Sequence, residues 1–254
     1  MATYPTVDPQ RILHHASLSD IGHQRSRNED AAGFFPLGTP TTDFLLVIAD
    51  GVGGNLAGDV ASRLAVDTVG QEFTRLIATT TPVAALQASL LTANQSICEA
   101  ARQTPDRQGM ATTCTAAVIR DHEIVLAHVG DCRAYLTVNG TIQQLTDDHS
   151  VAAECSRRGT PLPADDQVLC NVLTRWLGNQ NEVVPDIIPG VPMPPTSSLI
   201  LCSDGLTKVV SPEEIHCETV TSTPENACRR LVQIALDRGG PDNITIQIAR
   251  FDQR

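Results

Sequence analysis

The chain has 254 residues, 41% of them hydrophobic, which is enough to build a sizeable core in one large domain or two small ones. A formal net charge of −11 argues against nucleic acid or an anionic membrane surface as the main partner, and it favours cations as ligands. Aromatic residues make up only 3% of the chain. This low content also argues against a protein that binds single-stranded nucleic acid, because such proteins stack bases on aromatic side chains.

The N-terminal residues MATYPTVDPQ lack the charged region and apolar stretch of a secretory signal, and no run of about 18 apolar residues occurs. We therefore expect a cytoplasmic protein with no membrane partner. Eight cysteines without a C-x-x-C pair indicate reduced, mostly buried thiols rather than a zinc site. Since no repeat or charge block marks a boundary, we predict a single domain over residues 11–254, a loose tail over residues 1–10, and a monomer.

Five segments have the apolar content of β-strands. They are residues 44–49, 112–119, 123–129, 199–202 and 244–249. The first, FLLVIA, is apolar throughout and is expected to be buried on both faces. In the last, three isoleucines alternate with Thr245 and Gln247, which predicts a strand in a sheet with one buried face.

Apolar residues at helical spacing predict a helix over residues 56–78 and a second helix from residue 81 onward. The segment SPEE, residues 211–214, is a capping box with proline at the first helical position, and a further helix is expected over residues 225–238. Strands and helices do not alternate regularly, as they do around a parallel sheet. The sequence therefore predicts a layered α+β domain with antiparallel sheets.

Four of the strand boundaries carry an aspartate. These residues are Asp50, Asp131, Asp204 and Asp242. Each one alone is ordinary turn chemistry, because aspartate bonds its own backbone and the glycine that often follows accepts unusual conformations. Strands of stacked sheets begin and end along shared edges, so the four carboxylates can converge, and their repulsion would then require a cation. The arginine-rich segment DIGHQRSRNED, residues 20–30, strengthens this hypothesis.

Eight blocks of sequence, in order, resemble the metal-dependent protein phosphatases of type 2C in their compact bacterial form. They are DIGHQRSRNED (20–30), ADGVGG (49–54), GMATTCTAAV (109–118), HVGDCRAYL (128–136), LTDDHS (145–150), VLTRWLG (172–178), SDGL (203–206) and GGPDNITI (239–246). The resemblance implies a four-layer α-β-β-α sandwich, in which two central antiparallel sheets are flanked by helices and the site lies at one edge.

The resemblance also implies a set of metal ligands. Asp50 would bridge two metal ions, and the backbone carbonyl of Gly51 would help to bind one of them. Asp204 and Asp242 would hold the other ion. Glu29 would support this cluster directly or through water.

Bacterial members of the family often have a third, weaker metal position, which Asp131 and Asp204 match. Oxygen ligands of high charge, with room left for water, suit Mg²⁺ or Mn²⁺ rather than zinc. Two such ions can lower the pKa of a bridging water enough to supply hydroxide near neutral pH, and this hydroxide would attack the phosphorus atom.

Arg25 stands where similar proteins have a phosphate-binding arginine, and its guanidinium suits bidentate contact with phosphate oxygens. Arg27 is the alternative, and either arginine could instead be a solvated surface cation. Together with Asp50, Asp204 and Asp242, Arg25 is expected to carry catalysis.

Val52 occupies the position where some family members have a histidine that is thought to protonate the leaving oxygen, so we expect that a metal-bound water protonates this oxygen or that no dedicated acid exists. His149 is an alternative acid, but the resemblance favours a structural role for it.

Cys132 directly follows a predicted ligand, which motivates the hypothesis that oxidation of its thiol inhibits the enzyme. Residues 151–173 correspond to the variable flap of the family, where the adjacent arginines 157 and 158 either touch substrate or form a solvated pair.

The sequence thus predicts metal-dependent hydrolysis of phosphoserine and phosphothreonine in phosphorylated proteins, opposing a bacterial Ser/Thr kinase of eukaryotic type. A pseudophosphatase that only binds is one alternative, but such proteins usually lack acidic ligands that are all present here. A partner-switching phosphatase is another alternative, although such proteins usually carry additional sensor domains.

Overall fold

The computed structural model describes residues 11–38, 43–52, 57–120, 122–160, 169, 172–180 and 183–253. The strands in these ranges are β1 (Arg11–Asp20), β2 (Asp30–Pro36), β3 (Phe44–Val52), β4 (Ala111–Thr112), β5 (Cys114–Arg120), β6 (Glu123–Val129), β7 (Arg133–Val138), β8 (Thr141–Gln144), β9 (Asp186–Pro192), β10 (Ser198–Cys202) and β11 (Ile244–Gln253). The α-helices are α1 (Gly58–Leu76), α2 (Pro82–Gln103), α3 (Val151–Arg158), α4 (Asp204–Thr207), α5 (Pro212–Thr221) and α6 (Pro224–Asp237).

The strands form two stacked antiparallel sheets. A five-stranded sheet has the order β1-β11-β10-β7-β8, and a six-stranded sheet has the order β2-β3-β5-β6-β9, with the short β4 paired to β3. Helices α1 and α2 pack on the outer face of the six-stranded sheet, and helices α5 and α6 pack on the outer face of the five-stranded sheet. The protein is therefore an α+β, four-layer α-β-β-α sandwich, as the resemblance implies.

Three sets of apolar side chains fill the spaces between these four layers. On β3, Leu45 and Val47 face the helices α1 and α2, whereas Leu46 and Ile48 face the other sheet. Because both faces of the strand are covered, all of residues 44–49 are fully buried, as predicted.

Strand β11 differs from the prediction on its polar face. Thr245 and Gln247 are fully buried, so the expectation of a single buried face is wrong for this strand. The side-chain amide of Gln247 donates a hydrogen bond of 2.8 Å to the carbonyl of Val47 in the opposite sheet, and the hydroxyls of Thr245 and Ser19 lie 2.7 Å apart. An alternating pattern separates two faces, but it does not tell whether water or a hydrogen-bonding neighbour covers the polar one.

The other predicted strands are found with small changes. Residues 123–129 form β6 as predicted, and the segments near residues 200 and 246 lie within β10 and β11. The predicted strand over residues 112–119 is divided into β4 and β5 at Thr113, whose backbone and hydroxyl bond to Asp50. Strands β1, β2, β7, β8 and β9 lie in segments for which the apolar pattern predicts no strand.

The helices begin close to the predicted residues, and the start of α5 follows the predicted capping chemistry. Helix α1 lies inside the predicted range 56–78, whose first residue is outside the described ranges. Thr81 accepts a hydrogen bond of 3.3 Å from the N–H of Ala84 at the start of α2. Both hydrogen bonds of the capping box between Ser211 and Glu214 are present at the start of α5.

Among the described residues, no helix is both long and apolar enough to cross a membrane. The single domain over residues 11–254 stays a prediction. The tail expected over residues 1–10 lies outside the described residues.

Replacing Gln247 with alanine removes the hydrogen bond to Val47 and leaves a cavity between the two sheets. We expect the free energy of unfolding to fall by about 2–4 kcal/mol, measured by urea denaturation. The control is Gln143→Ala on the exposed side of β8, for which we expect a change below about 0.5 kcal/mol. Equal losses in the two variants would contradict a role of Gln247 in joining the sheets.

Candidate active site

A cleft opens at the edge of the sandwich where strands of both sheets end. Its volume is about 160 Å³, which exceeds the space of a few water molecules. The cleft is lined by Arg25, Glu29, Asp50, Gly51, Val52, Asp131, Leu173, Asp204, Lys208, Asp242 and Asn243. Every residue that the sequence places in the site thus lies in the wall of one cleft.

Asp50 and Gly51 lie near the end of β3, where the backbone is fixed from several sides. The N–H of Asp50 donates to the hydroxyl of Thr113 (2.9 Å), and the carbonyl of Asp50 accepts from the backbone N–H of Thr113 (2.8 Å). The N–H of Gly51 donates to the carbonyl of Glu29 (3.0 Å). A Cβ atom on Gly51 would lie 2.3 Å from the carbonyl oxygen of Gly58, so only glycine allows this close approach.

Asp204 and Asp242 are brought together by two adjacent turns. Asp204 begins α4 directly after β10, and Asp242 precedes β11, which pairs with β10. A Cβ atom on Gly205 would lie 2.0 Å from the carbonyl oxygen of Asn243, which shows how closely the two turns pack. Oδ1 of Asp204 is buried and has no hydrogen-bond partner among the described residues.

The side chain of Asn243 fastens the N-terminal segment of the site. Its amide nitrogen donates to the carbonyls of Ile21 (2.9 Å) and Arg27 (3.0 Å), and its oxygen accepts from the N–H of Glu29 (2.9 Å). Asn243 therefore holds the loop that carries Arg25. Sequence reasoning missed this role, although an amide beside Asp242 in the block GGPDN is a visible signal.

Asp30 is a second residue that sequence reasoning missed. It lies opposite Asp50 in the β2–β3 ladder, and the hydroxyl of Ser203 donates to its Oδ2 (2.7 Å). Its Oδ1 is buried without a partner among the described residues. Burial raises the pKa of Asp30 to about 7, and the neighbouring carboxylate of Asp204 adds to this shift.

The carboxylates of the cleft raise each other's pKa values. Burial is the first cause for Asp50, whose pKa lies well above its ordinary value, and repulsion from Asp30 and Asp204 follows. Burial and the charge of Asp204 raise the pKa of Asp131 to about 7. A bound cation would remove this repulsion, so the cleft has the chemistry of a site for hard divalent ions.

Two basic side chains balance part of this negative charge. Arg25 contacts Asp242 through Nε (2.8 Å) and Nη2 (2.9 Å). Nζ of Lys208 lies 2.7 Å from Asp204 and 2.8 Å from Asp242. Although burial opposes it, the hydrogen bonds from Lys208 and Arg25 hold the pKa of Asp242 below its ordinary value. As they stand, no three His, Cys, Asp or Glu side chains within the described ranges are grouped so that they could hold a metal ion.

His149 is occupied at both ring nitrogens, which agrees with a structural role. Nδ1 accepts from the N–H of Gly130 (3.1 Å), and Nε2 lies 3.0 Å from Asp186. The backbone N–H of His149 also donates to the carbonyl of Gly130 (2.7 Å). His149 therefore fixes the turn that presents Asp131 to the cleft. The hydroxyl of the next residue, Ser150, caps α3 by accepting a hydrogen bond from the N–H of Ala153.

The remaining candidates from the sequence lie away from the reacting side of the cleft. Arg27 is 65% exposed and contacts Asp59 on α1 at 3.3 Å. Arg157 and Arg158 are exposed, and the cleft lining does not include them, which favours their interpretation as a surface pair. Residues 161–168 and 170–171 of the expected flap lie outside the described residues.

Cys132 is fully buried between the two sheets. Burial raises the pKa of its thiol well above the ordinary value, and the charge of Asp50 adds to this shift. Reactive cysteines are exposed and have a lowered pKa. The environment of Cys132 therefore argues against the hypothesis that oxidation of this thiol inhibits the enzyme.

Known proteins are similar to this chain over most of its length. The serine/threonine phosphatase stp of Listeria welshimeri is 35% identical over 242 residues, which span 92% of this chain and 94% of that protein. The structure of the serine/threonine phosphatase Stp1 from Staphylococcus aureus matches with a TM-score of 0.83 and 32% identity, over 94% of this chain and 95% of that one.

A third match contains metal. The catalytic domain of the serine/threonine protein phosphatase PstP, solved in complex with two manganese ions, has a TM-score of 0.79 and 30% identity, over 96% of this chain and 100% of that one. Residues 22–234 of this chain match the family described as protein phosphatase 2C. Because this match covers most of the chain and these similar proteins are at least 30% identical along nearly their full length, the chain belongs to the protein phosphatase 2C family.

Proposed function

We propose that the protein removes phosphate from phosphoserine and phosphothreonine residues of proteins with the help of two divalent cations, Mn²⁺ or Mg²⁺. The observation that carries this proposal is the convergence of Asp50, Asp131, Asp204 and Asp242 on one cleft that Arg25 also lines. The phosphatases to which the chain is similar support the reaction, and the two manganese ions bound by PstP support the metal.

In this proposal, Asp50 would contribute to both cation positions, the carbonyl of Gly51 to one of them, and Asp204 and Asp242 to the other. The buried and unpartnered Oδ1 of Asp204 supports this assignment, since such an oxygen is costly without a hydrogen bond or a cation. When bound, the cations supply a water activated for attack on phosphorus and neutralise charge on the phosphoryl oxygens.

Two further carboxylates have supporting roles in the proposal. Glu29 supports the two-ion cluster, and Asp131 together with Asp204 serves a weaker third position. The raised pKa of Asp131, caused by burial and then by Asp204, supports this pairing, because a cation between the two would relieve their repulsion.

Arg25 is the proposed phosphate-binding group. Its side chain is 47% exposed at the mouth of the cleft, and Asp242 orients it through Nε and Nη2. Nη1 takes no part in this ion pair. Because the contacts of Nε and Nη2 with Asp242 fix the guanidinium plane, they also fix the direction of Nη1. Asn243 also supports the position of Arg25, because its side chain bonds to the backbone of Arg27 and Glu29 on the C-terminal side of Arg25.

We also infer that a protein kinase produces the phosphorylated proteins on which this phosphatase acts. The monomeric state and the cytoplasmic location expected from the sequence stay predictions.

Removal of divalent metal with EDTA and the substitution Asp204→Asn should each lower kcat on a phosphothreonine peptide by at least about 100-fold, because EDTA removes the cations that stabilise the transition state and the substitution removes a carboxylate that would hold one of them. Hydrolysis is measured as released phosphate with Mn²⁺ or Mg²⁺ added back. The matched control is Asp67→Asn on the exposed face of α1, which should leave kcat unchanged. Activity that survives both EDTA and Asp204→Asn would contradict the proposal. If the parent protein bound the phosphopeptide but did not hydrolyse it, the protein would instead be a binding module.

The second expectation concerns the leaving group. Val52 lines the cleft where some relatives have histidine, and both ring nitrogens of His149 are engaged elsewhere. We therefore expect kcat/KM for aryl phosphates to fall steeply as the pKa of the leaving phenol rises, because no protein acid protonates the departing oxygen. The variant Val52→His should flatten this dependence. A flat dependence in the parent protein would show that an acid exists.

A further inference from the structure

Lys208 is an unusual residue for this chain. Of the 18 lysine and arginine residues in the sequence, it is the only lysine. It follows the helical turn that Asp204 begins, and its backbone N–H donates to the carbonyl of Asp204 at 2.8 Å. Since side chains four residues apart lie on the same face of a helix, the fold brings the ammonium group of this lysine onto Asp204.

The ammonium lies between the two carboxylates of the proposed second metal position. Nζ of Lys208 is 2.7 Å from Oδ2 of Asp204 and 2.8 Å from Oδ2 of Asp242. These carboxylates are only 18% and 14% exposed, so water screens the contacts less than it screens a surface ion pair. A compact point charge fits between two carboxylates more easily than a planar guanidinium does.

A divalent ion and this ammonium cannot share the same two oxygens. Mg²⁺ binds carboxylate oxygens at about 2.0–2.1 Å and would repel an ammonium held at hydrogen-bond distance from those oxygens. An ion that takes either of these two oxygens must therefore move Nζ away from that carboxylate. Space exists for this movement, because Lys208 also lines a neighbouring cavity of about 310 Å³ that is bordered by Asp131 and Asp148.

We propose that Lys208 is an internal competitor of the second divalent cation, an inference that rests on the proposed metal site. In the metal-free protein, its ammonium holds Asp204 and Asp242 together and neutralises part of their repulsion. When the second ion binds, Lys208 withdraws toward Asp131 and Asp148. Lys208 thus weakens the binding of the second ion and stabilises the fold in the absence of metal.

Calorimetric titration of the metal-free protein with Mn²⁺ tests the competition directly. In Lys208→Met, which keeps an apolar stem and removes the charge, we expect the dissociation constant of the second ion to fall by about tenfold. The control is Arg229→Met on the exposed surface of α6, which changes the net charge equally but should leave the dissociation constant as in the parent. An unchanged or weaker affinity in Lys208→Met would overturn the inference.

Thermal unfolding separates this role from a merely structural one. In EDTA, Lys208→Met should unfold at a lower temperature than the parent, because Asp204 and Asp242 then repel each other with only the Arg25 pair on Asp242 left to compensate. At saturating Mn²⁺ this difference should vanish or reverse. The same loss with and without Mn²⁺ would show that Lys208 only stabilises the fold.

Isotope labelling of lysine gives a third readout, since the side-chain signal then comes from Lys208 alone. We expect the Lys208 resonance to shift as Mg²⁺ is added, and the midpoint of this shift should equal that of the second binding step in a calorimetric titration with Mg²⁺. A resonance that does not move while Mg²⁺ binds would contradict the withdrawal. If the parent protein bound no divalent ion at all, the proposed function would fail, whereas binding that is indifferent to Lys208 would overturn this inference alone.

Discussion

The repulsion between buried carboxylates at one edge of the sandwich is the constraint on which the rest of the site depends. Asp50, Asp131 and Asp204 are close enough that burial and mutual charge raise their pKa values. A cluster of this kind is unfavourable unless positive charge is supplied. Arg25 and Lys208 supply part of it from the chain itself, and divalent ions would supply more. The stability of the fold and its affinity for metal are therefore coupled at this cleft.

The two sheets provide the rigidity that such a cluster needs. Asp50 is fixed by Thr113 at the break between β4 and β5, and the loop that bears Arg25 is fixed by Asn243. These contacts connect distant parts of the chain to strands that are themselves buried on both faces. Groups held on such elements keep their geometry better than groups on free loops. The repelling carboxylates cannot relax apart, so they stay ready to bind cations.

Much of this arrangement could be predicted from the sequence, because an aspartate at a strand end is visible in the chain and strand ends of stacked sheets share an edge. The predictions were weaker where side-chain direction matters. The polar face of β11 could not be recognised as buried, because the pattern does not show that Val47 of the other sheet receives Gln247. Lys208 stands at a helical spacing from Asp204, yet only the packing of α4 against the turn at Asp242 brings its ammonium between both carboxylates.

Strand β1 pairs along its whole length with β11, so the segments 11–20 and 244–253 become neighbours only after folding. During synthesis on the ribosome, the six-stranded sheet can assemble from segments that have already emerged. The five-stranded sheet must wait for β10 and β11, and β1 has an unpaired edge until then. Asp242 and Asn243 arrive with the same late segment. A growing chain therefore cannot complete the proposed second cation position before the segment that forms β11 has emerged, and the cleft forms later than the six-stranded sheet.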